Sequence, residues 1–591
     1  MTLVEGAERG AAEGAPARRR ARSLRAHVAA LGVVLVALMP LVGTGASFSA
    51  DEGAAIIQAQ SLSRGDGWIV EHPVPPVGES VRSYPLELSE EGTKGVAPFA
   101  KHPLYAVLLA AADRVGGVTG MVLLSVLGTL VAAALAALIA GRLAPGVAKP
   151  TLWVVGVASP LLFDGYLVIA HSLAAASVAA AVLVALVAWE RRSAPFAALV
   201  APLMATAVML RSEAVLFALA LAAVLVGAAL LELVTDRGGG TRSTVTSSAG
   251  AAGAGVAGVA GVAGGAGAAA AVAAGVGALG ARMLEKSWAA AIVGPPAMST
   301  VRPRAADPSG FLDGRLNAFA ITWLRPSHNG PPALDAALVV MLVGVALGVF
   351  IARRRPSDQA GLKFAAVLTI AAALVGFLIG PGNLVPGLLV AFPIGFAGLL
   401  ALDRIALRTT PARILLGAFA LFALAVLATQ YAAGGTAEWG GRYFAIGLPA
   451  LAPVVVLALR RHAHHRVAAG ALIAATAFMS VMSVASIRSS HLFTDELISA
   501  VDRAGGEVHV ATSGAIPRLA WSTFDRQRWL LVAPGDLAGV MGRLRAEGVE
   551  RVTFVTRDAA GELPRLGASV EVTGTTPTPG NGWSIHSLSL G

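Results

Sequence analysis

Residues 121–140 read MVLLSVLGTLVAAALAALIA, a run with no charged side chain, and Arg142 follows it closely. In hydrocarbon every backbone N–H and C=O must bond within its own segment, so about 20 apolar residues in a helix are needed to cross a bilayer. The stretch therefore predicts a membrane-spanning helix. On either side of it, comparable runs make up a series at approximately residues 27–48, 119–140, 151–169, 172–189, 195–210, 213–234, 250–280, 335–352, 363–380, 384–402, 412–431, 443–460 and 466–487. These make about thirteen spans; two of them, meeting at Arg211, are also readable as one broken pair. The composition agrees: 56% of the 591 residues are hydrophobic before the 68 glycines are counted, and 14% are charged. A soluble domain carries about 25% charged residues, which excludes one or several ordinary soluble domains. The absence of cysteine excludes disulfides, thiolate catalysis and cysteine-ligated zinc or iron–sulfur sites. The abundance of Ala, Gly, Val and Arg fits a GC-rich bacterial genome.

A net charge of +10 would suit nucleic acid in a soluble protein, but in a membrane protein basic residues mainly set topology. With Arg18, Arg19, Arg20, Arg22 and Arg25 cytoplasmic, alternate loops collect Arg142, Lys149, Arg191, Arg192, Arg237, Arg242, Arg353, Arg354, Arg355, Lys363, Arg404, Arg408, Arg413, Arg460, Arg461 and Arg466 on the same side. No nucleic-acid partner is expected. The run 250–280, with glycine at 255, 258, 261 and 264, would alone pass for a flexible linker. Without it every downstream loop changes side, so it is read as a helix whose small residues allow close packing. The basic start and the apolar 28–41 run resemble a signal peptide, yet a chain with a dozen later spans needs none, and a retained first helix is expected. The predicted organisation is a cytoplasmic basic segment 1–26, a multi-pass domain 27–487, and an extracytoplasmic tail 488–591. Large external loops lie at 50–102 and 281–334.

In the tail, Val508 to Thr512, Trp529 to Ala533 and Arg551 to Thr556 read as strands, and Asp536 to Glu547 as a helix between two of them. That is a small α/β unit, with neither GxGxxG nor P-loop. The fold class expected is an all-α polytopic membrane protein with a small C-terminal extracytoplasmic α/β domain.

Polar residues near the membrane gather on the external side. Asp51 and Glu52 stand where the first helix leaves the bilayer; alone they would read as a solvated helix end, or as a cap for a helix over Ala54 to Ser63. After them come Gly65-Asp66-Gly67-Trp68 and Lys101-His102-Pro103-Leu104-Tyr105, then Ser159-Pro160-Leu161, His171-Ser172-Leu173-Ala174, Leu210-Arg211-Ser212-Glu213-Ala214 and Gly441-Arg442-Tyr443-Phe444. Each has a bland reading. Arg211 and Glu213 could simply pair at a helix junction, Lys101 could snorkel to the interface, and Arg442 could serve a tight Gly440-Gly441 turn. His102 and His171 could be structural. Asp164 is expected near the outer surface. His462, His464 and His465 sit in an ordinary basic loop.

The order of these motifs over residues 27–487 resembles the GT-C superfamily of integral membrane glycosyltransferases, which includes protein O-mannosyltransferases and aminoarabinose transferases. The chain departs from the pattern in lacking an aromatic residue soon after the acidic pair, in the Pro- and Glu-rich stretch Val70 to Ala100, and in its α/β tail. The resemblance implies transfer of a hexosyl or pentosyl group from a polyprenyl-phosphate-linked donor, at the outer face of the cell membrane. The acceptor would be an envelope glycan, lipid or protein. Transfer breaks the anomeric C–O bond to phosphate, and preorganised cations there favour the transition state; Lys101, Arg211 and Arg442 are the candidate donor-phosphate ligands. Asp51, with Glu52, is the candidate catalytic carboxylate, a base toward an acceptor hydroxyl. His102, Tyr105, His171, Glu213 and Tyr443 are candidates to line the cavity. Asp51 and Glu52, with a further carboxylate, could hold Mg²⁺ or Mn²⁺. Residues 281–334, with Trp288, Arg302, Arg304, Asp307, Trp323, Arg325 and His328, could order over the donor. The competing class is a transporter or lipid-linked-glycan flippase, which would place ionisable groups near the midplane.

Overall fold

The computed structural model of the chain describes all residues except 1–3, 71–89, 93, 100–101, 240–251, 295–309, 328–329, 382–383, 431–438, 558–565, 567–569 and 578–582. The chain begins with α1 (Val4–Val42) and α2 (Ala50–Arg64), then a small hairpin of β1 (Glu90–Gly92) and β2 (Gly95–Ala97). There follow α3 (Pro103–Leu143), α4 (Ala148–Val157), α5 (Leu161–Asp164), α6 (His171–Arg191), α7 (Ala194–Ala198), α8 (Val200–Leu210), α9 (Ala214–Gly239), α10 (Ala252–Val293) and α11 (Phe311–Phe319). The helical part ends with α12 (Pro332–Arg354), α13 (Gln359–Ile379), α14 (Leu388–Ala391), α15 (Pro393–Ala401), α16 (Thr410–Thr429), α17 (Leu448–Arg460) and α18 (Arg466–Ala504).

Among the described residues, ten helices are long and apolar enough to cross a membrane. Of the other three expected runs, two fold as broken pairs, α4 with α5 and α14 with α15, and the third, α7 with α8, is a shorter apolar helix over Ala194–Leu210. Pro160 and Pro393 stand at the two breaks, because proline lacks an N–H and clashes with the preceding turn. Val33, Leu230, Phe364 and Leu378 are among many large apolar side chains left outside the packed core. In water such a surface would aggregate; in a bilayer it is the lipid-facing belt. The protein is a multi-pass membrane protein.

Helix ends separate into two sets. At the base, Arg142 pairs with Glu190, Arg460 donates to the Pro145 carbonyl, Arg353 to that of Leu400, and Arg461 meets Asp403 at 2.7 Å. Basic residues assigned to one side by charge bias thus share one end of the bundle. The opposite end, the head, carries α2 and the sheet domain. Helix α3 breaks at Gly116 and Gly117, the latter at φ +58° and ψ −149°, a conformation open to glycine. Its apolar portion therefore starts near the expected residue 119, and Pro103 to Val115 form a separate helical arm at the head.

The tail contains β3 (Val508–Ala511), α19 (Ala515–Leu519), β4 (Trp529–Leu531), α20 (Leu537–Ala546), β5 (Arg551–Arg557), β6 (Glu571–Pro577) and β7 (Trp583–Ser589). The sheet order is β4-β3-β5-β7-β6, parallel among β4, β3 and β5 and antiparallel at β7 and β6. Alternation puts Val508, Val510, Val552 and Phe554 on the face covered by α20. Ala511, Val555 and Ile585 face the other way, onto Leu497 and Val501 of α18 and Ile57 of α2. The expected boundary at residue 488 falls inside α18, which runs unbroken through Ala504 and carries the domain on its end.

Candidate active site

Helix α2 begins where the sequence places its acidic pair, but the cap is Ser49. Its hydroxyl accepts from the Glu52 N–H at 3.4 Å, and the Glu52 carboxylate accepts from the Ser49 N–H at 3.1 Å, a reciprocal capping box. Glu52 also accepts from the N–H of Phe48 at 2.7 Å and of Val168 at 2.5 Å. It is 2% exposed. A buried carboxylate engaged by three amides fixes the start of α2 against the loop after α5, so its geometry is that of a positioning group.

Asp51 points elsewhere. Its Oδ2 accepts from Arg442 Nη2 at 2.8 Å, and Arg518 Nη1 stands 3.9 Å from Oδ1. Arg442 arrives through Gly440 and Gly441, at φ +72° and +68°. A Cβ on Gly440 would lie 2.3 Å from Pro160 Cγ, and one on Gly441 2.4 Å from the Thr322 carbonyl oxygen, so the Gly-Gly step is what admits the arginine. Trp439, just before it, stacks on Phe163 with ring centroids 5.6 Å apart. The Ser-Pro-Leu and Gly-Arg-Tyr motifs, distant in sequence, thus meet in space.

Arg211 closes α8 and holds Glu213 in a two-pronged pair at 2.6 and 3.1 Å, the junction pairing that stood as the alternative to a phosphate-binding role. Arg442 lies within electrostatic reach of Glu213 as well. Arg518, Asp51, Arg442, Glu213 and Arg211 consequently form a chain of alternating charge with guanidinium groups at both ends and in the middle. Three forks of five donors each suit an oxyanion ligand such as phosphate. Arg518 is 4% exposed and belongs to α19 of the tail domain. Sequence reasoning missed it: nothing local sets Arg518 apart from Arg526 or Arg528, and only docking of the domain on α2 brings it to Asp51.

Other candidates lie at different distances from this cluster. Tyr105 is wholly buried against Phe99, and His171 is buried at the start of α6. Tyr443 is partly buried in the short 3₁₀ helix Arg442–Gly447 that follows Gly441. His102 joins another network, its Nδ1 2.6 Å from Glu285 of α10, a carboxylate that Arg282 also contacts; it clamps the α3 arm to α10. Asp164 is buried in α5. Lys101, Arg302, Arg304, Asp307 and His328 lie outside the described residues. In the expected loop 281–334, the first part continues α10 and residues 311–324 form α11 and a π turn, with Trp323 packed on Phe444 at 4.9 Å.

The donor set does not fit a divalent cation. Among the described residues no three His, Asp or Glu side chains converge. Asp51 is flanked by two guanidinium groups and Glu52 is turned onto backbone amides, which opposes rather than assembles an oxygen cage.

No family model and no curated protein matches the chain. Among solved structures it is similar to the archaeal oligosaccharyltransferase AglB from Archaeoglobus fulgidus in complex with an inhibitory peptide and a dolichol-phosphate, at 12% identity and TM-score 0.45, over 90% of this chain and 69% of that one. It is also similar to ArnT from Cupriavidus metallidurans bound to undecaprenyl phosphate, at 12% identity and TM-score 0.43, over 95% of this chain and 97% of that one. Likenesses this loose assign no residue a role, and each role rests on this chain's own geometry.

Proposed function

We propose that the protein is a GT-C-type membrane glycosyltransferase that moves a sugar from a polyprenyl-phosphate donor to an envelope glycan, lipid or protein at the outer face of the cytoplasmic membrane. The observation that carries this reading is Asp51 held between Arg442 and Arg518 at the head. A lipid phosphate entering there competes for the same guanidinium groups and leaves the Asp51 oxygens open to an acceptor hydroxyl. That hydroxyl oxygen bonds to the anomeric carbon, its proton passes to Asp51, and the anomeric C–O bond to phosphate breaks with its electron pair on the phosphate oxygen. Arg442, Arg518 and Arg211 then face the charge that grows on the leaving group, where fixed donors act most strongly.

The charge bias of the loops supports a cytoplasmic base and N-terminus and an extracytoplasmic head. The buried carboxylate and guanidinium side chains described in the helical region, Glu52, Asp164, Arg211 and Glu285, all belong to the head. That favours chemistry at the membrane boundary over a midplane transport path. The test is donor turnover in membranes carrying wild type or Asp51→Asn, supplied with labelled polyprenyl-phosphate sugars and a cell-envelope extract. Release of polyprenyl phosphate and label transfer by the wild type alone supports the reading. No turnover of any donor by well-inserted protein overturns it.

A further inference from the structure

Beside the charged cluster, the head holds a cleft of about 1060 Å³. Its lining includes Ile57 and Ser61 of α2, Trp68 and the Trp288 of α10 stand side by side in one wall, and Arg64, Asp66 and Asp525 add charge. That wall is fixed from behind. Gln58 Nε2 donates to the Trp68 carbonyl at 3.1 Å and Ser61 to that of Gly67 at 2.9 Å. On the α10 side, the Lys94 N–H donates to the Val293 carbonyl at 2.9 Å and Lys94 Nζ to that of Ala291 at 2.8 Å. Arg64 bridges Asp66 and Asp525, at 3.0 and 2.8 Å, so the tail domain contributes to the lining.

The two indoles meet edge to face with centroids 6.2 Å apart and remain half-buried. The span Gly265–Val293 has 29 residues, about 43 Å of helix at 1.5 Å per residue, against a hydrocarbon core of about 30 Å. Arg282, Glu285 and Lys286 mark where α10 leaves that core, and Trp288 stands beyond them.

We propose that this cleft binds the glycan portion of the acceptor, several sugar units long; the proposal rests on the glycosyltransferase reading and narrows its acceptor. A sugar ring offers a flat C–H face and a rim of hydroxyl groups. Indole faces take the first, while carboxylates and a guanidinium fork take the second, accepting and donating hydrogen bonds respectively. The placement separates acceptor from donor. Along α2, Ile57 lies about 9 Å and Arg64 about 20 Å from Asp51, so the cleft leads away from the phosphate site over more than one sugar.

The test titrates full-length protein in detergent with arabino-, manno- and galacto-hexasaccharides, following the heat of binding, with a Gly/Ser/Thr hexapeptide and anionic phospholipid micelles as comparison probes. Expected is a saturable response to at least one hexasaccharide, weakened at least about ten-fold by Trp68→Ala or Trp288→Ala and retained in Trp288→Phe, which keeps a flat ring and reports on folding. The proposal is overturned if no hexasaccharide saturates, if binding survives both alanine changes, or if only the peptide or the micelles give a response that those changes abolish. Transfer assays separate it from the reading beneath it. Donor turnover with an unaltered acceptor KM in both alanine variants removes the cleft and leaves the glycosyltransferase. Tryptophan-dependent hexasaccharide binding without turnover of any donor leaves a glycan site and removes the enzyme.

Discussion

A Cβ on Gly53 would lie 1.8 Å from the carbonyl oxygen of Arg518. Helix α2 and helix α19 therefore touch backbone to backbone, two residues from Asp51, and the tail domain is seated on the candidate site. Gly53→Ala must push the two apart, at a cost of about 1–3 kcal/mol for an overpacked contact. The expected result is a tail domain more open to protease between residues 505 and 530, together with loss of transfer as severe as in an Arg518 variant. A Gly53→Ala protein with wild-type protection and activity would show that the contact is dispensable.

Arg518→Ala removes one of the two cations on Asp51. If the guanidinium steadies the leaving phosphate, turnover falls on the order of 100-fold, and Arg518→Lys recovers only part because a single ammonium cannot reproduce the fork. Steady-state kinetics with the donor varied provide the check: kcat should fall along with kcat/KM, since the interaction strengthens as charge develops.

Asp51 and Glu52 are neighbours with opposite expected phenotypes. Asp51→Asn should insert and fold normally while losing about 100- to 10,000-fold in transfer, the span of general-base contributions.

Glu52→Gln presents an amide N–H₂ to a pocket of backbone N–H donors and leaves at least one of them unanswered. The expectation is about 1–3 kcal/mol of destabilisation, read as a lower Tm of the purified protein. Equal Tm values for the two variants would contradict this division of labour.

In the tail, burial pushes the His509 imidazole down to about 4. The folded domain holds it neutral, whereas the unfolded chain protonates it near 6.5. Stability from this group is therefore complete above about pH 6.5 and falls as the pH drops toward 4, by up to about 1.4 kcal/mol per pH unit. Hydrogen exchange over residues 508–511 and 529–531, corrected for intrinsic rate, should show this slope, and His509→Gln should flatten it.

The membrane character was legible because it depends on local properties: twenty apolar residues must form a helix in hydrocarbon whatever surrounds them. The breaks inside two of the runs were not, because the residues around Pro160 and Pro393 are mostly apolar through the interruption and hydropathy does not register a kink. Three strands and one helix of the tail showed in their alternation. Strands β6 and β7 did not, because EVTGTTP and WSIHSLS carry too few apolar residues on one face to signal burial; their place comes from pairing with β5 and with each other.

Within the site, Asp51, Arg211 and Arg442 stood out as rare charged residues beside apolar runs, where a charge without purpose is costly. Their partners were not readable. Which carboxylate of the pair meets the arginines depends on a capping box and on Val168, and the pairing of His102 with Glu285 depends on how α3 and α10 pack. Arg518 reaches Asp51 only because α18 continues past the bilayer and sets the tail domain onto α2. The apolar helices and the sidedness of charge were thus fixed residue by residue along the chain, since each follows from transfer free energy and backbone geometry over one short segment. Which of two adjacent acids meets the arginines, and that the tail brings Arg518 to Asp51, were settled only by packing in three dimensions, since both follow from contacts between residues hundreds of positions apart.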